Sequence, residues 1–136
     1  MEFSREEILA CAKVQLIIAG ADGLSDAEMR AANDIGRGFG APEDLIEEIK
    51  RFDYKNARLE DHLNDNLKKM AHAFLYFAIK VSHADGYSEK EQGLIKKSAR
   101  ALGVSDATVA ALEGLVSAES GLRMARVALL SNASSH

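Results

Sequence analysis

Two ten-residue stretches hold most of the groups in this sequence that could do chemistry: AGADGLSDAE at 19–28 and SHADGYSEKE at 82–91. Each spells Ala-Asp-Gly-x-Ser-acid-x-Glu. Asp22, Asp26 and Glu28 set three carboxylates within seven residues, and Asp85, Glu89 and Glu91 repeat them 63 positions later. Hard oxygen donors at such density are what Ca²⁺ or Mg²⁺ takes as ligands, provided the two stretches converge in space. The same residues also read as purely structural. Ser25 with Glu28, and Ser88 with Glu91, have the spacing of a capping box, in which a serine and a glutamate satisfy each other's backbone N–H at a helix start. Asp22 and Asp85 could then close Asx-turns, and Gly23 and Gly86 would supply the left-handed residue of each turn. A carboxylate at the end of the preceding helix faces the negative pole of its dipole, a mismatch of about 0.3 to 1 kcal/mol. A turn bond or a cation would offset it.

Several other chemistries fail on spacing. With Gly23 as the sixth residue of an EF-hand loop, positions one, three and twelve fall on Ile18, Gly20 and Met29; with Gly86 they fall on Val81, His83 and Gln92. Neither set has the carboxylates that loop requires. No P-loop, HExxH or Ser-His-Asp arrangement occurs. GRGFG at 36–40 follows a helical pattern, not a strand, and reads as a helix end and linker. Paired carboxylates alone, with no nucleophile or polarising group beside them, do not make an active site, so the expectation is no enzyme. His72, Tyr76 and His83 fall on one side of a predicted helix, with the two imidazoles about 16 Å apart along its axis, too far to share one ion. His83 could still join Asp85. Cys11 is alone, so it forms no internal disulfide and reads as a small buried hydrophobe.

The 136 residues carry a net charge of −4, distributed unevenly. Residues 1–65 hold fifteen acids against eight bases, a net of −7; residues 66–136 hold six acids against nine bases, a net of +3. Nucleic acid is a poor partner for such a chain, because binding its backbone wants clustered Lys and Arg. No apolar run approaches the roughly 18 residues of a membrane span, and the acidic start lacks the features of a signal peptide, so the expected location is the cytoplasm.

The elements that must position the acidic stretches are helices throughout. Ala, Leu, Glu, Lys and Arg dominate, and there is one proline. Ser4 with Glu7 opens a first helix that ends near Gly20; a second runs from Ser25 and stops before GRGFG; Pro42 opens a third. Apolar residues from Leu59 to Val81, three or four apart, predict a fourth, with a possible interruption at 64–66. Ser88 opens a fifth, ending at Leu102-Gly103, and Ser105 caps a sixth. SGLRMARVALL makes a seventh, about 119–131. Shifted by 63, residues 16–49 lie over 79–112 without a gap, and apolar positions coincide: Phe39 with Leu102, Ile46 with Val109, Ile49 with Leu112. The fold class is therefore all-α: about seven helices in a single compact bundle over 1–136. It contains two copies of one unit, about 4–52 and 64–116, related by an internal pseudo-two-fold, and then the C-terminal helix. Neither unit could cover its own apolar face alone.

The motifs ADGLSDAE and ADGYSEKE resemble the paired turns of TerB-like domains, the tellurite-resistance family of small all-helical bacterial proteins. The resemblance covers roughly residues 5–130 and includes LGV closing the second copy where the first has FGA. It implies a divalent metal, Ca²⁺, Mg²⁺, Mn²⁺ or Zn²⁺, held by clustered acids. By position these are Asp22 and Glu28, then Asp85 and Glu91, with Asp26 and Glu89 matching less closely. It also implies a stress-response role, docking to partner proteins at a membrane surface, and no catalytic reaction. A metal-free protein–protein adaptor is the alternative. Gly20 in one copy stands where the other has His83, so the two turns need not be chemically equivalent.

Overall fold

Helix α1 spans Arg5–Ala19 and α2 spans Asp26–Gly38. They are followed by α3 Glu43–Lys50, α4 Asp65–Lys68, α5 Ala71–His83, α6 Glu89–Ala101 and α7 Asp106–Ser134. Short 3₁₀ turns cover Gly20–Asp22, Tyr54–Asn56 and Leu59–His62. This is a computed structural model, which describes residues 3–84 and 86–134; of Asp22 and residues 132–134 only the backbone is described. Among the described residues there is no strand.

The helix starts obey the serine pattern. Ser4, Ser25 and Ser88 each accept a hydrogen bond from the backbone N–H three residues on, at 3.1 Å, and Glu7, Glu28 and Glu91 reach back to the serine N–H at 3.0, 3.1 and 3.0 Å. All three capping boxes are complete. Ser105 Oγ accepts from the Thr108 N–H at 3.2 Å to start α7.

The repeat is a repeat of backbone. α2 and α6 begin 63 residues apart and are both 13 residues long; α3 and α7 also begin 63 apart. Gly23 and Gly86 take φ of 90° and 86°. After α2 and α6 the chain turns at Gly40 (φ 79°) and Gly103 (φ 78°), a conformation in which a side chain would be strained. Behind each, an amide bonds back into the helix: Ala41 N–H to Gly36 O at 3.1 Å, Val104 N–H to Ala99 O at 2.8 Å. Arg37 pairs with Glu43 in one copy, and Arg100 with Asp106 in the other.

The two units interlock. α1 and α5 pack directly against each other, α1 also meets α6, and α2 meets α5, as an approximate two-fold requires. Between them lies the main core, in which Val14 and Ile18 of α1 meet Phe74 and Ile79 of α5 and Ile95 of α6, each fully buried. A smaller cluster, with Leu16, Leu45 and Ile46 at its centre, seals α1 against α3.

Three expected boundaries change. α2 does not stop before GRGFG but runs through Gly36 to Gly38. A Cβ on Gly36 would lie only 3.2 Å from the Ile46 side chain, so this glycine allows a close approach of α3 while remaining helical. The helix expected from Leu59 to Val81 is broken into a 3₁₀ turn, α4 and α5. Asn64 leaves helical geometry to cap Leu67 N–H at 3.1 Å, and Met70 (φ −122°) separates α4 from α5. Leu59, Leu67, Met70 and Phe74 nevertheless all point inward, which explains why the apolar rhythm survives the breaks. The predicted sixth and seventh helices are one, α7, because Gly121, like Gly114 earlier in the same helix, costs only about 1 kcal/mol.

Candidate functional site

Glu28 and Glu91 begin as caps and end as a pair. Each sits in the first turn of its helix, and each spends Oε1 on the N–H of its capping serine. The internal two-fold lays the Gly20–Asp22 turn against α6, so both glutamates are turned inward, 3% exposed apiece. There Glu91 lies near enough to Glu28 to raise its pKa. Burial pushes Glu28 up to about 7; the Ser25 amide pulls it down by less, and Glu91 adds to the rise. Two like charges in one dry site cannot both be comfortable. Glu91 Oε2 is buried with no hydrogen-bond partner. With both groups ionised this oxygen has no donor at all; a proton on Glu28 supplies one, and a cation would serve in its place.

The surroundings of the pair are not symmetric. Beside Glu91 stands Tyr87, whose hydroxyl is buried and has the Glu113 carboxylate as its nearby acceptor. Its pKa is raised by burial first, then by the nearby carboxylates of Glu113 and Glu91. His83 stacks on the Tyr87 ring, with centroids 4.9 Å apart and planes tilted by 34°. Ser82, wholly buried in the last turn of α5, has an unpartnered hydroxyl. At the matching positions of the first unit stand Ala19, Gly20 and Leu24, and the Tyr54 ring closes over Gly20. Tyr87 and Glu113 were not singled out from sequence. Tyr87 lies inside the repeated motif but at its variable position, and Glu113 is distant along the chain.

The expected ligands divide into three groups. Glu28 and Glu91 are brought together. Asp26 and Glu89 are exposed at the first positions of α2 and α6. Asp85 lies outside the described residues, as does the side chain of Asp22. Among the described residues no group of three or more His, Cys, Asp or Glu side chains is placed to hold a metal ion. His72 is exposed on α5, and His62 packs edge-on against Phe52. Cys11 is buried, accepts from Gln15 Nε2 at 3.0 Å, and is pushed up to about 12 by burial, as suits an inert core thiol.

The fold is that of a small all-helical domain built on a duplicated unit, in which the Gly20–Asp22 turn packs on α6 and one glutamate from each copy is buried. A tellurite resistance protein from Nostoc punctiforme, known from its crystal structure, is similar to this chain at 32% identity and a TM-score of 0.77, over 93% of this chain and 81% of that one. The chain belongs to that family, the TerB-like tellurite resistance proteins. No protein-family model matches it, and no curated protein does. No helix among the described residues is long and apolar enough to cross a membrane.

Proposed function

We propose that this chain is a non-enzymatic, cytoplasmic stress-response module that holds a divalent cation between its two elbows and docks to partner proteins. One observation carries the metal reading. Glu28 and Glu91 bury two carboxyls against each other, and one buried oxygen lacks any partner. A cation there would replace the proton that burial now favours, and it would relieve the repulsion between the groups. The donor set is all oxygen, which suits Ca²⁺, Mg²⁺ or Mn²⁺ better than Zn²⁺. Glu28 and Glu91 would hold the ion, with Asp22 and Asp85 the sequence candidates for completing the set. The stress-response part rests on the family, whose member from Nostoc punctiforme is described as a tellurite resistance protein.

A metal-free adaptor is the second reading. It is favoured by the completeness of the capping boxes, which account for one oxygen of each glutamate with no ion, and by the lack of a third described ligand.

Thermal melting separates the two. At pH 8 the cation-binding reading expects about 1 mM Ca²⁺, Mg²⁺ or Mn²⁺ to raise the melting temperature, by the free energy RT ln(1 + [L]/Kd), or about 2.7 kcal/mol at a hundredfold excess over Kd. The gain should shrink at pH 5.5, where the proton competes, and vanish in Glu28→Gln with Glu91→Gln. Melting curves that no ion moves at either pH leave the adaptor.

A further inference from the structure

Helix α7 outruns the bundle. Its 29 residues extend about 43 Å, and its inward face, marked by the buried Val109 and Val116, packs on α5 and α6 only over the first half. The opposite face carries a second apolar stripe. Leu115, Leu122 and Leu129 stand seven residues apart, 48%, 63% and 70% exposed. Leu115 is already uncovered where its neighbour Val116 is buried, so the stripe is not merely the packed face continued past the end of the bundle. Ala118 and Ala125, three residues after a leucine in each case, are exposed beside it. Leucine at every first and alanine at every fourth place of a seven-residue repeat is a helix-pairing seam.

We propose that α7 is a self-association helix, through which two copies of this chain pair antiparallel along the Leu115–Leu122–Leu129 stripe. The orientation follows from side-chain size. In a parallel pair leucine would face leucine and alanine would face alanine, and the alanine layers would be left hollow. In an antiparallel pair Leu122 lies over the partner's Ala125 and Leu129 over the partner's Ala118, so the four central layers have the same volume, and Leu115 falls at each end of the seam opposite the partner's position 132. Charge agrees with this register. Glu119, whose carboxylate accepts from the Tyr76 hydroxyl of its own chain, and Arg126 flank the stripe on the same edge, seven apart, and the antiparallel register brings the remaining carboxylate oxygen of each Glu119 beside the partner's Arg126, twice by symmetry. The contact is isologous and closes at two copies. A lipid surface is the poorer occupant, because residues 117–131 hold one acid and two bases and not a basic face.

Sedimentation equilibrium of the full chain from about 1 to 100 μM should show a mass rising towards twice 14.7 kDa. Leu122→Glu should weaken association at least about thirtyfold with an unchanged circular dichroism spectrum, and Arg126→Glu about fivefold, whereas Val127→Glu, on another face, should leave it intact. Oxidised mixtures of Ala118→Cys and Leu129→Cys chains should crosslink to each other faster than Leu129→Cys crosslinks to itself. The proposal fails if the wild-type chain stays monomeric at 100 μM, if Leu122→Glu leaves a dimer intact, or if Leu129→Cys prefers its own kind. Monomers that float with anionic vesicles through this stripe would overturn it in favour of a membrane surface.

Discussion

At the first elbow Gly20 lies beneath Tyr54, so close that a Cβ there would be 2.5 Å from two ring carbons. At the second, 63 residues on, His83 occupies that place and stacks on Tyr87. The two share the φ of Gly23 and Gly86, the capping boxes and the length of the helix that follows. The difference lies in what the turn is filled with. The first elbow is closed by an aromatic ring brought from a later segment, and the matching Ala19, Gly20 and Leu24 are simple. The second is filled from within its own repeat, and the hydroxyls of Ser82 and Tyr87 and the spare oxygen of Glu91 are all buried. Duplication has kept the frame, and one copy has become the more polar of the two.

Exchanging the fillings is the most severe test of that division. Gly20→His forces the Tyr54 ring from its seat and should cost about 2 to 3 kcal/mol, as overpacking does. The converse His83→Gly loses a ring contact and some helix propensity, for about 1 to 2 kcal/mol. Urea melts of both variants decide it. Adding Tyr54→Ala to Gly20→His should recover part of the loss, and equal costs for the two single variants would mean the elbows are interchangeable after all.

The glutamate pair gives the next largest effect, and its sign is set by burial. The Glu28 carboxyl is raised in the folded chain from an ordinary 4.5 to about 7. Its protonated form is therefore the one the fold favours, and this contribution is complete below pH 4.5 and fades as pH rises through 7. Without added metal, the Glu28-dependent part of stability should fall by on the order of 1 to 2 kcal/mol between pH 5 and 8, short of the full value of the shift because solvent screens part of the field. Glu28→Gln keeps the capping box, since glutamine also serves at that position, and should flatten this dependence while raising stability at pH 8. A pH profile of melting temperature that is the same in wild type and variant would remove the paired-carboxyl account of the site.

How much of this could be read from the sequence depends on range. The repeat, its offset of 63, the three capping boxes and the stop at Leu102-Gly103 are local patterns, and each appears in the structure where its residues stand. The errors came where a local rule met a tertiary contact. Gly36 was expected to end a helix, yet α2 passes through it because Ile46 needs the space a side chain would take. The break at Asn64 was half visible, since an asparagine can cap the next turn; the break at Met70 has no such local signal. In the site, the meeting of Glu28 and Glu91 was inferable from the two-fold. Tyr87 was not, because the repeat shows what two copies share, and Tyr87 belongs to what they do not.

The serines should confirm that shared frame by equality. Ser25→Ala and Ser88→Ala each remove one cap from one capping box, and each should cost about 1 kcal/mol in chemical denaturation, within about 0.5 kcal/mol of each other. A markedly larger cost at Ser88 would show that its box also holds Glu91 in place against Tyr87, and the frame itself would then share in the asymmetry.

The smallest effect is expected at the most symmetric feature. Arg37 with Glu43 at 3.6 Å and Arg100 with Asp106 at 3.1 Å join corresponding helix ends in the two units. Arg100 holds the Asp106 carboxyl below its usual range and is itself raised by it, so the attraction is real in both directions. Yet all four side chains are largely exposed, where water and salt screen the pair and two long side chains lose freedom in making it. Symmetry therefore marks these pairs as inherited with the unit, not as strong. Arg37→Gln and Arg100→Gln should each leave the melting temperature within about a degree of wild type at 0.15 M salt. A drop of several degrees in one variant alone would locate a structural difference between the two units at their helix corners as well as at their elbows.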